Sequence, residues 1–235
     1  GFKQLFSFKE NRTMRNVLIA SVAFVLAIFI ASPVSAEPTI NGPTGLIINP
    51  TADITELEHA WISLNFFDNN GNTVWTTNLT GTVSEQFEIS AGGTFAENGG
   101  DGLTFGGKWL FMRESENRPG AAAGVLFNDV SGSNTTTFYA VASKFFYFGE
   151  DASENASIHG GINLVTGDSD DTFEFFGGLD VMIVEDFIAI AEFNTDESNI
   201  FEGFTFGLRY YFGPQVTGQI ATIDGDLTFG GSFIF

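Results

Sequence analysis

Cysteine is absent from all 235 residues. That excludes a disulfide framework, a thiolate nucleophile and a cysteine-ligated metal. Basic residues are scarce. Beyond residue 36 only Lys108, Arg113, Arg118, Lys144 and Arg209 remain against 28 acids, a net charge of −23. Nucleic acid is a very poor partner for such a chain, because phosphate contacts need clustered Lys and Arg. Cations, cationic groups or polyols suit it better. Past residue 36 there is no run of about 18 apolar residues, which excludes a helical membrane protein. The two histidines, His59 and His159, are too isolated to define a metal site. No G-x-S-x-G context marks a nucleophile.

What the chain has is phenylalanine and glycine, 28 of each, with only 16% charged residues. This balance suggests apolar surface turned toward something other than water. The first part reads as an address. Met14, Arg15 and Asn16 precede an apolar run over 17–30 broken only by Ser21, and Val34-Ser35-Ala36 forms an A-x-A type cleavage site. Residues 14–36 are therefore expected to be a cleaved signal peptide. Residues 1–13 precede the only plausible start methionine and are read as an upstream extension outside the fold. Residues 37–56 are read as a lead-in or lumen segment, and 57–235 as one barrel.

The rest alternates with period two in stretches of about ten residues, the pattern of a transmembrane barrel. Over 155–166, Ala156, Ile158, Ile162 and Leu164 share one face while Ser157, His159 and Asn163 share the other. Over 172–184, Phe173, Phe175, Leu179, Val181 and Ile183 oppose Glu174 and Asp180; over 200–212, Phe204, Phe206, Leu208, Tyr210 and Phe212 oppose Thr205, Arg209 and Tyr211. The stretch 83–95 reads as one strand with Ser84, Gln86, Glu88, Ser90 and Thr94 on its polar side. Weaker strands are expected near 57–67, 73–82, 102–113, 120–129, 136–148, 187–195 and 215–222. With the last stretch, 226–235, the expected fold is all-β: an antiparallel up-and-down transmembrane barrel of about twelve strands, with ten to fourteen possible. The separators, such as Asp68-Asn69-Asn70-Gly71, Asn98-Gly99-Gly100-Asp101 and Gly213-Pro214, carry hairpin-turn residues.

Alternation cannot say which face is outside, since a soluble barrel or sandwich would bury the Phe face. Glycines and small residues on the polar face favour lipid outside, as do aromatics near strand ends, including Tyr147-Phe148 and Tyr210-Tyr211-Phe212. Phe229, Phe233 and Phe235 share one face of the last stretch. With the final Phe they resemble the C-terminal signal read by outer-membrane assembly machinery. The expected place is the outer membrane of a double-membraned bacterium, with its lipids and lipopolysaccharide as partners.

The segment Gly42-Pro43-Thr44-Gly45-Leu46-Ile47-Ile48-Asn49-Pro50-Thr51-Ala52-Asp53 resembles the leading GxxGLIxxPTA segment of the YjbH-like outer-membrane proteins, which are associated with exopolysaccharide production. Gly107-Lys108-Trp109, 119–124, 138–144, Ala191-Glu192-Phe193 and 206–210 follow the same pattern. The resemblance spans most of 42–212 and implies an outer-membrane barrel, here a short member, with a polysaccharide as possible partner. It supplies no catalytic residues.

Within 42–53, Gly42, Pro43, Gly45, Pro50, Thr51 and Asp53 give an irregular backbone, tolerated at membrane depth only inside protein or a wet cavity. Two readings stand: a plug or latch at the lumen, or a lead-in with no role beyond barrel closure. By alternation Glu88, Lys108, Lys144, His159, Glu174, Asp180, Glu192 and Arg209 are candidate lumen residues. They would form either a hydrophilic path or paired charges filling a small barrel. His159 beside Ser157 falls short of a hydrolase constellation, lacking an orienting acid and oxyanion donors. No cofactor is expected. Asp168, Asp170 and Asp171 are a weak Ca²⁺ candidate, without the Gly and distal Glu of an EF-hand loop; solvated acidic loops are the plainer account. Together these features favour passage or export of a polar solute or polysaccharide. The alternative is a structural or surface-interaction barrel whose acidic loops touch envelope components. A barrel hydrolase ranks last.

Overall fold

The computed structural model describes residues 37–235, apart from 56, 58, 70–71, 98–99, 131–132, 149–153, 168–170, 185 and 196–202. The expected extension and signal peptide, 1–36, lie outside the described residues, as do Asp168 and Asp170. Twelve strands form one closed antiparallel barrel. They are β1 (Ala60–Asn69), β2 (Asn72–Ser84), β3 (Phe87–Ala96), β4 (Gly102–Met112), β5 (Gly120–Val130), β6 (Ser133–Phe148), β7 (Glu154–Gly167), β8 (Thr172–Val184), β9 (Phe187–Asn194), β10 (Gly203–Tyr211), β11 (Val216–Ile223) and β12 (Asp226–Ile234). Each strand pairs with its sequence neighbours, and β1 with β12 closes the ring. Closure matters because an unpaired edge in hydrocarbon leaves backbone N–H and C=O groups without partners. Phe235 extends the seam: its N–H donates to the Ala60 carbonyl and its carbonyl accepts from the Ala60 N–H, both at 3.0 Å.

The structure settles which face looks out. Phe173, Phe175, Phe204, Phe206 and Phe229 are exposed, while Thr76, Asn78, Glu88, Lys108 and Thr205 are buried. A water-soluble barrel would invert this order, so the outer surface is suited to lipid. Aromatic pairs, stacked, tilted or edge-on, lie at both ends. Phe87–Trp109, Phe187–Tyr210 and Tyr210–Phe212 lie near the end carrying Ala60 and Phe235, called here the terminal end. Phe66–Phe229, Trp75–Phe95 and Phe173–Phe175 lie near the far end. Such girdles mark the two interfaces of a membrane barrel. Tyr211 is turned inward and belongs to neither.

The expected boundary between strands 73–82 and 83–95 lies a few residues later: Val83 and Ser84 end β2, and β3 starts at Phe87. Glu85 and Gln86 form the turn between β2 and β3, with register irregularity between Thr82 and Ser84. Ser84, Glu85 and Gln86 are polar in a row, but no Gly, Asn or Pro marks the position of the turn. At the far end, Asp224 (φ 49°) and Gly225 (φ 90°) make the tight β11–β12 turn, the left-handed pair that a two-residue hairpin requires.

Candidate functional site

Residues 37–55 pack inside the barrel as a compact double-back rather than a thirteenth strand. Isolated bridges join Pro38 to Thr44 and Gly45 to Pro50, and Ile40 N–H donates to the Ile47 carbonyl at 2.8 Å. Gly42 takes φ +112°, a conformation that glycine adopts without strain. Glu37, Thr39, Ile40, Thr44 and Ile47 are each at most 2% exposed. Pro43 and Pro50 leave no N–H to satisfy, which suits a buried irregular turn.

Hydrogen bonds to the barrel wall run through wall side chains. On one side, Glu88 of β3 accepts from Thr44 N–H at 2.9 Å and from the Thr44 hydroxyl at 2.8 Å. Lys108 of β4, directly opposite Glu88 in the ladder and 3.4 Å from its carboxylate, donates to the Thr44 carbonyl at 2.9 Å. Half-way round the ring, Glu192 of β9 accepts from three successive amides: Ile47 at 3.1 Å, Ile48 at 3.1 Å and Asn49 at 2.9 Å. Consecutive amides converging on one carboxylate form an anion nest, here filled by the wall's own side chain. Arg209 of β10 donates to the Leu46 carbonyl at 2.8 Å and pairs with Glu37 at 3.0 Å. Buried charges are tolerated only when paired and hydrogen-bonded in this way.

Polar side chains complete the seat. Asn78 donates to the Ile40 carbonyl at 2.8 Å, Thr80 to the Gly42 carbonyl, and Thr82 to the Thr55 carbonyl at 2.6 Å. Apolar contacts add to them. Ile40, Leu46, Ile47 and Ile48 form one buried cluster with Phe67, Val74, Ile190, Ala221 and Ile223 of the wall. Ala52 joins a second with Leu110, Ala122, Leu126, Tyr139, Val141 and Phe176. Two wall glycines make the sockets: a Cβ at Gly178 would run into Leu46 Cδ1, and one at Gly207 into Ile47 Cδ1.

A third group spans β6, β7 and β8. Ser143 Oγ accepts from Ala52 N–H at 2.7 Å and lies 2.7 Å from His159 Nδ1. His159 Nε2 sits 2.9 Å from Asp180 Oδ1 and 2.8 Å from Ser157 Oγ. The Ser-His-Asp contacts resemble a catalytic triad in composition. However, Ser143 is 1% exposed and its oxygen is committed to the Ala52 amide, so the group holds the segment rather than presenting a nucleophile.

The remaining candidates are dispersed. Glu174 is buried on β8 near the far end, where Asn163 donates to it at 3.3 Å. Lys144 is a correction: it stands directly opposite Ile158, which is exposed on the outer face, so its side chain is not in the lumen. It reaches Glu114 at 2.6 Å and the Ser115 carbonyl at 3.0 Å beside the β4–β5 turn. The strand alternates without a break, Tyr139, Val141 and Ser143 facing in, so Lys144 shares the outer face with Phe138 and Phe146. Asp171, the described member of the acidic triplet, is exposed, and no group of three or more potential metal ligands occurs among the described residues. Thr51 and Asp53 line a cavity of about 50 Å³ with His159, Asp180, Arg209 and Tyr211. Asp53 also lines a cavity of about 390 Å³ at the terminal mouth with Leu110, Arg113 and Glu114. Phe229 and Phe235 are exposed on the outer face, and Phe233 is more covered, stacked on Phe235 at 6.5 Å.

Sequence reading missed Glu37, Ser143 and Gln219. Glu37 lies outside the strand rhythm, and Gln219 falls in the weak stretch 215–222, where it links Arg209 to Asn65 at 2.9 and 3.0 Å.

No protein-family model matches the chain, and no curated protein matches it. Solved structures do match by fold. A KdgM porin aligns with TM-score 0.54 at 9% identity, covering 74% of this chain and 98% of the porin. Acinetobacter baumannii outer membrane protein Omp33 aligns with TM-score 0.54 at 9% identity, covering 75% and 97%. A NanC porin gives 0.50 at 10% identity, covering 74% and 98%. The fold is thus that of the outer-membrane β-barrel porins. At these identities the likeness carries the architecture and nothing finer.

Proposed function

We propose that this barrel sits in a bacterial outer membrane and provides a route for a polar solute or saccharide, closed in the present conformation by residues 37–55. The observation that carries the reading is the manner of closure. The segment belongs to no strand, and wall side chains hold it: Glu88 and Lys108 on one side, Glu192 and Arg209 on the other. A wall built only for packing has little use for buried charges, because apolar residues of similar volume fill space at no desolvation cost. One solved relative by fold is a KdgM porin described in complex with disordered oligogalacturonate, and this agrees with passage of a carbohydrate through a barrel of this size. The exopolysaccharide association implied by the YjbH-like resemblance belongs to the same reading.

A lock tests it. Ala52 and Ser143 are in contact, Ala52 N lying 2.7 Å from Ser143 Oγ. The chain has no native cysteine, so an Ala52→Cys/Ser143→Cys pair, its oxidation checked by thiol titration, is the lock between segment and wall. In planar bilayers the oxidised chain should be silent and the reduced chain should show openings. Equal silence in both forms would remove the passage reading.

A second reading has its own observation. The Ile40–Leu46–Ile47–Ile48 cluster ties the segment to wall residues as a core would. This favours a permanently filled barrel that serves the envelope structurally, with acids such as Asp68, Asp101 and Asp171 at its far end toward envelope partners. That barrel would stay closed after reduction of the lock.

A further inference from the structure

The wall reads the segment by chemistry a different molecule could supply. Its carboxylates take donors: Glu88 takes the Thr44 amide and hydroxyl, and Glu192 takes three amides. Its cations take acceptors, since Lys108 and Arg209 each hold a backbone carbonyl. The segment meets all of them with neutral amide and hydroxyl groups. Its two acids are Glu37, paired with Arg209, and Asp53, in the small cavity with His159 and Arg209.

We infer that Glu88–Lys108 and Glu192–Arg209 form a two-sided binding site for an uncharged, polyhydroxylated chain, which replaces residues 37–55 and discriminates against acidic saccharides. The inference rests on the passage reading above. Sugar hydroxyls donate to the two carboxylates as the amides now do, and hydroxyl or ring oxygens accept from Lys108 and Arg209 as the carbonyls now do. Tyr211 and Phe145 line the small cavity beside His159 and Arg209 and offer apolar faces to the C–H side of a ring.

The discrimination follows from charge. With the segment withdrawn, Glu37 and Asp53 leave with it. Among the described inward residues, Glu88, Glu174, Asp180 and Glu192 then face Lys108 and Arg209, with His159 beside Asp180. A polyuronate entering this space meets excess like charge at short range in a medium of reduced dielectric, where repulsion is strong. A neutral chain meets none.

The test uses the full chain with the Ile47 socket closed, Gly207→Val, so that Ile47 no longer fits. Folding is checked by the mobility shift between unheated and boiled samples on a denaturing gel. Equilibrium dialysis of the detergent-solubilised protein against maltohexaose and against a galacturonate hexamer reads binding without any current. The expected result is retention of maltohexaose and not of the uronate. Adding Glu88→Gln and Glu192→Gln should abolish that preference. Retention of the uronate equal to or above maltohexaose, or of neither sugar, overturns the inference while leaving the lock experiment to decide passage. Should the socket variant fail the folding check, block of the native chain's current by the same two sugars makes the comparison. A native chain silent in that assay removes the passage reading and this site with it.

Discussion

Glu192 shows how much one side chain can hold. Three buried amides converge on its carboxylate, and hydrogen bonds to a charged group are worth about 1.5–3 kcal/mol each. Replacing it with Ala strands those three donors, and each buried donor left unsatisfied costs about 1–3 kcal/mol. We expect Glu192→Ala to leave the barrel folded but to raise amide exchange at Ile47, Ile48 and Asn49 strongly; unchanged protection there would show that the segment is held by packing alone. Lys144 supplies the contrasting case. It lies on the outer face and pairs with Glu114 with about a quarter of its side chain exposed, and such pairs contribute about 0–1 kcal/mol. Lys144→Ala should shift neither the stability of the barrel measurably nor its ion preference in bilayers. A change in ion preference would place Lys144 in the solute path after all. Alternation names Glu88, Lys108, Glu192 and Arg209 one at a time. It has no means of showing that four strands bring them onto residues 44–49, because convergence depends on register and tilt.

At the scale of elements, the β1–β12 seam and the inserted segment make separate predictions. Phe235 contributes two backbone hydrogen bonds to Ala60 and an exposed ring stacked over Phe233. Deleting it shortens the seam where the ring closes, so assembly into the membrane should slow several-fold while barrels that do form keep their gel mobility shift. Normal assembly kinetics without Phe235 would contradict an assembly role for the Phe229–Phe233–Phe235 face. For the segment, Gly207→Val puts bulk where Ile47 Cδ1 now sits. Overpacking costs about 1–3 kcal/mol, and here the segment, unlaced to any strand, yields before the ladder does. Limited proteolysis should then cut within 37–55 in folded barrels, and resistance equal to the native chain would argue that the wall adjusts instead. The strands themselves were legible because period-two alternation is strong where one face must be Phe-rich. The position of the Glu85–Gln86 turn was legible only to within a few residues, because no Gly, Asn or Pro marks it.

For the whole molecule, an apolar exterior bounded by aromatic rings at both ends predicts a protein extracted only with detergent. It should fractionate with the outer membrane and run at different positions before and after boiling; recovery from the soluble periplasm would sink the membrane placement. The sequence by itself determined the fold class, the approximate number of strands and the sign of the charge. These are properties of periodicity and composition, which every residue reports locally. Tertiary structure alone decided that residues 37–55 fill the ring and which wall side chains meet them. Those depend on contacts between positions as far apart as Ile47 and Glu192. Such contacts are set by ring closure and leave no mark in the local pattern of either partner.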